Sequence, residues 1–246
     1  MIHDNFSSQA DLYARYRPRY PAEMYDFIFQ HLPQKKTAWD CATGSGQVAG
    51  YLSEYFTNVY ATDISKEQMS HAPKKDSIEY KIAPAEESGL PPDSFNLITV
   101  GQAVHWFDVE GFYREVNRTA RPGALLALIS YDIIQVDERL NTPIKNFYDY
   151  AFGKYFGKNR QHIDARYQSL PFPFEEIAAP DFEKTYQWKL KDFGGYLNSW
   201  SAVQRIKEKE GFNPVDDFLD EIAPLWPPDE AKEVTFPVFM RLGLIG

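Results

Sequence analysis

The chain has 246 residues, 43% of them apolar, enough for one large domain or one domain with an elaborated cap. Its formal net charge of −9 argues against duplex nucleic acid as the main partner, because phosphate binding calls for a basic face. The single cysteine, Cys41, excludes an internal disulfide framework and a thiolate zinc cluster.

The opening "MIHDNFSSQADLYARYRPRY" is polar and aromatic and has no apolar core segment, so no secretory leader is expected. No apolar run approaches the ~18 residues of a membrane span. A soluble, cytoplasmic protein with no membrane partner is therefore expected. Pro21 can start a helix through "PAEMYDFIFQHL". "KTAWDCA" reads as a buried strand, "QVAGYLSEYF" as a helix, and "TNVYATD" as a second strand ending in Asp63. "SKEQMSHA" reads as a helix capped by Ser65 and stopped before Pro73. "SIEYKIA" and "SFNLITVGQ" give strands three and four. A helix follows in "DVEGFYREVNRTA", capped by Asp108 and ended by "RPG", and "ALLALIS" is strand five.

Through residue 130 strands and helices alternate, which implies parallel strands with helices on both faces. Ligands in such sheets sit beyond the carboxyl ends of the strands. After residue 131 the alternation breaks into a helix-prone, aromatic stretch over 137–180. "FEKTYQWKL" then alternates like a strand, "GGYLNSWSAVQRIKEK" and "PVDDFLDEIAPLW" look helical, and "EVTFPVFMRLGL" reads as a final strand. Pro237 points to an edge or irregular position for that strand. Two strands added to five would complete a seven-stranded sheet. The expected organisation is a single domain over 1–246. It has an N-terminal lid at 1–20, a core at 20–131, a cap insertion at 137–180, and completion of the sheet by 181–246.

The turn after strand one, "TAWDCATGSGQVAG", carries the chemistry. A dinucleotide fingerprint needs small residues where Ala42, Gly44 and Gln47 stand, and it fails at Gln47. That failure disfavours a nicotinamide-linked oxidoreductase. A Walker A loop is absent. What remains is an acidic–small–Gly–Gly pattern: Asp40, Ala42, Gly44, Gly46. A methyl group at Ala42 calls for negative φ. Asp63, ending strand two, can accept both hydroxyls of a ribose.

This set resembles motif I and the following loops of the class I S-adenosylmethionine-dependent methyltransferases, in the methyltransferase type 11 branch that includes trans-aconitate methyltransferase-like enzymes. "YARYRPRYP", "APAEESGLP" and "GQAVHWFD" carry the same resemblance, which covers residues 10–130. It implies a Rossmann-like three-layer α/β/α sandwich with a mostly parallel sheet ordered 3-2-1-4-5-7-6, strand 7 antiparallel. The implied cofactor is S-adenosyl-L-methionine, leaving as S-adenosyl-L-homocysteine. Its ammonium and sulfonium favour acidic groups nearby. By position, Thr43 belongs to the glycine loop, Ile64 follows Asp63 in the cofactor site, Ala85 and Glu86 flank the adenine, and Gln102 contacts the amino-acid end. His105, in the loop after strand four, borders the reacting methyl, Trp106 and Phe107 wall the cofactor, and Ala103 belongs to the same cofactor-binding loop.

Methyl transfer from a sulfonium is an in-line displacement, so the enzyme mainly aligns the acceptor and excludes water. An ionised carboxylate needs no base, whereas a phenol or amine does. His105 is the candidate base, with a packed, positioning histidine as the competing reading. Tyr13, Tyr16, Arg17 and Tyr20 either form a lid, with Arg17 holding a carboxylate of cofactor or substrate, or simply dock on the fold. The histidines are scattered and suggest no metal. With no Asn/Asp-Pro-Pro-Tyr after strand four and no basic tail, a small-molecule acceptor is expected, and a monomer or weak homodimer. A cofactor-binding domain without transfer activity is the alternative.

Overall fold

The computed structural model describes residues 16–155 and 157–246. Helix α1 (Ala22–Gln30) starts behind Pro21 and buries Met24, Tyr25, Ile28 and Phe29. It leads into β1 (Thr37–Cys41), then α2 (Gln47–Leu52), β2 (Asn58–Asp63), α3 (Lys66–Ser70), β3 (Ile78–Ile82) and β4 (Phe95–Gly101). After β4 come a single 3-10 turn (Val104–Trp106), α4 (Val109–Thr119) and β5 (Ala120–Tyr131). The remainder is α5 (Glu138–Tyr155), α6 (Gly157–Asp164), β6 (Glu175–Ile177), β7 (Phe182–Trp188), α7 (Leu190–Asn198), α8 (Ser201–Glu210), α9 (Pro214–Ile222) and β8 (Lys232–Ile245).

The sheet runs β3-β2-β1-β4-β5-β8-β6, with β7 also paired to β8. The first five strands are parallel, and β8 is antiparallel to β5. The expected order is therefore present, with the sixth place filled by two segments. β6 pairs Leu242–Leu244 of β8 and β7 pairs Lys232–Val238. The period of two along each strand sorts the core. Ala38, Leu97, Leu125, Ala127 and Ile129 face one layer of helices. Trp39, Ile98, Val100, Leu126 and Leu128 face the other. Trp39 is fully buried, and its indole N–H donates to Thr62 Oγ1 at 2.9 Å, so its one polar atom is satisfied.

Four local expectations need correction. β8 is an interior strand, flanked by β5 and β7, and not an edge. Pro237 fits because its carbonyl, which accepts from Asp132 N at 2.8 Å, faces the place where β5 ends, so the missing N–H costs only the last ladder bond. "RPG" does not close a helix. β5 already pairs at Ala120, and the ladder shifts register before Leu125. Asp108 stands at the N-cap of α4 without a side-chain cap bond, and Glu86 Oε1 accepts its amide instead, at 2.9 Å. The helix expected over 194–209 is two helices broken at Ser199–Trp200. Ser65 does cap α3, accepting from Gln68 N.

Over the aromatic stretch, α5 packs on α8 and α9, and α6 packs on the 3-10 turn after β4. Phe147 stacks on Phe218 at 4.3 Å and 8°, and Phe152, Tyr148 and Tyr196 gather around Trp200. Among the described residues no helix is long and apolar enough to cross a membrane.

Candidate functional site

The sheet order brings the carboxyl ends of β1, β2 and β4 side by side, and register places Asp40 opposite both Ala61 and Thr99. Asp40 is almost fully enclosed. Its Oδ2 accepts from Thr43 Oγ1 at 2.5 Å and Ala49 N at 3.0 Å, and its Oδ1 accepts from Thr99 Oγ1 at 2.9 Å. Burial pushes its pKa up to about 6, against the pull of these bonds, and the charge of Asp63 adds to the rise. The carboxyl therefore clamps the loop to α2 and β4 from within.

The loop itself is wound left-handed. Ala42 has φ +54°, Gly44 +56° and Gly46 +73°. The negative φ expected for Ala42 is thus overturned. The chain must turn there so that Thr43 can bond Asp40 through its hydroxyl and Thr62 O through its amide, at 2.9 Å. A residue with a Cβ pays roughly 1–2 kcal/mol for that conformation. Gly44 N donates to Asp63 Oδ2 at 2.8 Å, and Asp63 Oδ1 accepts from Ser65 N at 2.8 Å. A Cβ on Gly46 would lie 2.8 Å from Ala72 Cβ and 2.9 Å from Tyr80 Oη, so this glycine serves the close packing of α2 against the α3–β3 segment.

Beyond β2, Ile64 leaves an apolar side chain 39% exposed beside Asp63. Ala85 is buried, and Glu86 is turned onto the start of α4 through Asp108 N. At the end of β4, Gln102 is also left-handed, with φ +52°. Its Oε1 accepts from Ser130 Oγ at 3.0 Å and Tyr131 N at 3.1 Å, so its acceptor ties β4 to β5. Ala103 precedes the 3-10 turn that carries His105 and Trp106. His105 lies against Trp106, with ring centroids 4.9 Å apart, and against Tyr167 at 6.3 Å. Its buried Nδ1 has no hydrogen-bond partner among the described residues. Burial, then the charges of Arg160 and His162, lower its pKa from 6.5 to about 3, so the ring is neutral at physiological pH.

The N-terminal segment closes one side. Tyr16 lies on Gly195, where a Cβ would overlap its ring. Tyr20 packs near Gly101 and Tyr131. Arg17 donates to Tyr131 Oη and, at 3.0 Å, to Ser199 O, a carbonyl freed by the break between α7 and α8. Tyr13 lies outside the described residues. A cavity of about 50 Å³ results, lined among others by Arg17, Tyr20, Asp40, Ala42, Gly44 and Tyr131. The expected Asp40, Ala42, Thr43, Gly44 and Arg17 thus meet at one place, with Asp63 bonded to the loop from outside. Gly46, Glu86 and the acceptor of Gln102 are engaged in packing or bracing. Sequence reading missed Thr99, Tyr131, Ser45 and Gln68. Only Thr99 had a legible signal, as a polar residue inside the apolar run "LITV".

The residues present fit a cationic, ribose-bearing cofactor. Two carboxylates flank the loop. Ser45 Oγ, in the cavity lining, and Gln68 Oε1, 3.0 Å from the Cβ position of Gly44, are buried polar atoms with no hydrogen-bond partner among the described residues. Among the described residues no group of three or more His, Cys, Asp or Glu is placed to hold a metal ion.

Comparison with known proteins agrees. A family model for a methyltransferase domain matches residues 39–128. The solved structure of a provisional type II methyltransferase from Anaeromyxobacter dehalogenans superposes with a TM-score of 0.84, at 35% identity, covering 93% of this chain and 98% of that one. A provisional methyltransferase of Dictyostelium discoideum is 29% identical over 97% of this chain and 94% of its own length. A Saccharomyces cerevisiae protein, CRG1, provisionally an S-adenosylmethionine-dependent methyltransferase, is 27% identical over 68% of this chain and 61% of its own. From its loop, its strand order and a likeness that runs the length of a related structure, the chain belongs to the class I S-adenosylmethionine-dependent methyltransferases.

Proposed function

We propose that the protein transfers a methyl group from S-adenosyl-L-methionine to an oxygen of a small-molecule acceptor, with an ionised carboxylate as the favoured acceptor group. The observation that carries this reading is the pairing of an anionic cofactor loop with a weakly basic acceptor side. The cofactor supplies a methyl already activated on a sulfonium. Asp63, at the carboxyl end of β2 and bonded to Gly44 N and Ser65 N, is assigned the ribose hydroxyls, and Ile64 offers apolar surface to an adenine. Asp40 keeps the loop wound so that its backbone is open to the amino-acid end.

On the acceptor side, a histidine whose pKa lies near 3 is a poor match for deprotonating a phenol or amine at neutral pH. An acceptor ionised beforehand needs no such step. Positive charge is at hand. Arg17 reaches into the cavity, and the guanidinium of Arg160 lies 4.7 Å from the ring centroids of both Tyr148 and Phe152, close enough to act on His105. His105 then positions the acceptor against Trp106. In this reading residues 137–180 cover the acceptor side and 16–20 close over the cofactor.

The test has two stages. Calorimetry with S-adenosyl-L-homocysteine is expected to show micromolar binding that Asp63→Ala abolishes. A release assay for S-adenosyl-L-homocysteine against acids, phenols and amines is then expected to single out an acid. Binding without turnover on any acceptor would favour a cofactor-binding domain, and turnover confined to phenols or amines would refute the carboxylate assignment.

A further inference from the structure

A second concave site lies on the far side of the aromatic layer. Helices α5 and α9 meet there, and Phe147 on Phe218 forms a buried floor. Tyr150, one turn beyond Phe147, and Phe212, from the connection between α8 and α9, stand at the sides. They are 45% and 42% exposed, far more than aromatic rings in a core. Asp217 and Glu221 flank Phe218 on the same face of α9, one turn apart. Together these residues shape a cleft of about 330 Å³, the size of a small organic ligand. Among the described residues no basic side chain lines it. Neither Asp217 nor Glu221 has an ion pair or hydrogen bond among the described residues. The cleft shares no lining residue with the cofactor cavity.

We propose that this cleft binds a small organic cation, a substituted ammonium on an apolar body of about one ring's size. Three features select that class. Ring faces attract an ammonium through their quadrupole. Two unpaired carboxylates on one helix face supply the counter-charge and repel anions. The floor is apolar, so a bare inorganic cation gains nothing from it, whereas the body of an organic one is desolvated there. Scattered exposed apolar residues are ordinary on protein surfaces. Here four aromatic side chains and two carboxylates converge from three segments of the chain. The site is independent of the methyl-transfer reading, since it rests on none of the cofactor residues.

The test uses the full-length protein saturated with S-adenosyl-L-homocysteine and titrated with benzyltrimethylammonium, followed by calorimetry and by NMR of the aromatic signals. Saturable binding is expected, weakened by salt and unchanged by the nucleoside ligand. Benzyl alcohol, the uncharged counterpart, is expected to bind at least about tenfold more weakly. The Asp217→Asn, Glu221→Gln double variant is expected to lose about tenfold in affinity for the ammonium, with the affinity for S-adenosyl-L-homocysteine kept. Both positions are exposed, so the fold is expected to survive. Should the double variant fail to fold, comparison of the ammonium with phenylacetate on the unaltered protein decides. Equal affinity for the ammonium and the alcohol, binding of phenylacetate as tight as that of the ammonium, an unaffected double variant, or displacement of S-adenosyl-L-homocysteine by the probe would each overturn the proposal.

Discussion

Replacing Ala42 by glycine should make the protein more stable. Ala42 holds φ +54° at the carboxyl end of β1, where its Cβ meets the following carbonyl unfavourably. That conformation costs roughly 1–2 kcal/mol for a residue with a Cβ. Glycine removes the cost, but its freer unfolded chain returns about 0.4–1 kcal/mol. The net gain is then about 0.5–1 kcal/mol, or ~1–4 °C in midpoint for a chain of this size. Urea unfolding and thermal scans of Ala42→Gly beside the parent would measure it, with Ala42→Val as the opposite arm, since a β-branched residue tolerates left-handed φ worse. The Asp40–Thr43 and Thr43–Thr62 bonds do not involve the Ala42 side chain, so they persist in the variant. A glycine variant no more stable than the parent, or a valine variant as stable as either, would refute the claim that the loop stores strain at this residue.

Other outcomes follow from the same geometry. Gly46→Ala should destabilise by about 2–3 kcal/mol in chemical denaturation, from a clash inside a packed wall added to the left-handed φ. The raised pKa of Asp40 means that the folded state holds that proton more tightly than the unfolded chain. Its penalty is therefore fully present above about pH 6 and is relieved as pH falls toward 3.8; Asp40→Asn should remove that window from a stability–pH profile. His105 acts in the opposite sense: its depressed pKa contributes stability above pH 6.5 that is lost as pH falls toward 3, and His105→Gln should flatten that loss. In pH–rate profiles with a carboxylate acceptor, no inflection near 6.5 is expected from His105, and one there would show that it titrates in turnover.

Elements up to residue 130 were legible because the strands are short apolar runs and the helices between them are amphipathic, with Ser65 capping one of them. The loop was legible because Gly44 and Gly46 mark left-handed backbone, yet the same reasoning assigned Ala42 the wrong sign of φ. The turn is dictated by the Thr43 bonds to Asp40 and Thr62, and the latter crosses between strands in a way no local pattern reports. Asp108 misled for a similar reason. It occupies the cap position, but a carboxylate 22 residues earlier, Glu86, bonds its amide. The depressed basicity of His105 was beyond reach, because it arises from burial and from Arg160, which enters from α6 in the insertion. Pro237 was read by a sound rule for edge strands, and only the end point of β5 shows why an interior strand tolerates it.

The order in which the chain leaves the ribosome gives the position of β8 a further meaning. The glycine loop and its acidic partners are complete by residue 99, but Arg17 is anchored on Ser199, and the last strand inserts between β5 and the earlier β7. A nascent chain stopped short of residue 232 therefore has β5 exposed along the edge that β8 will cover, and a cofactor loop whose neighbouring wall is unfinished. Vectorial synthesis thus makes the emergence of residues 232–245 the event that seals the sheet, and loss of that segment would leave a sticky edge on a chain whose glycine loop is intact.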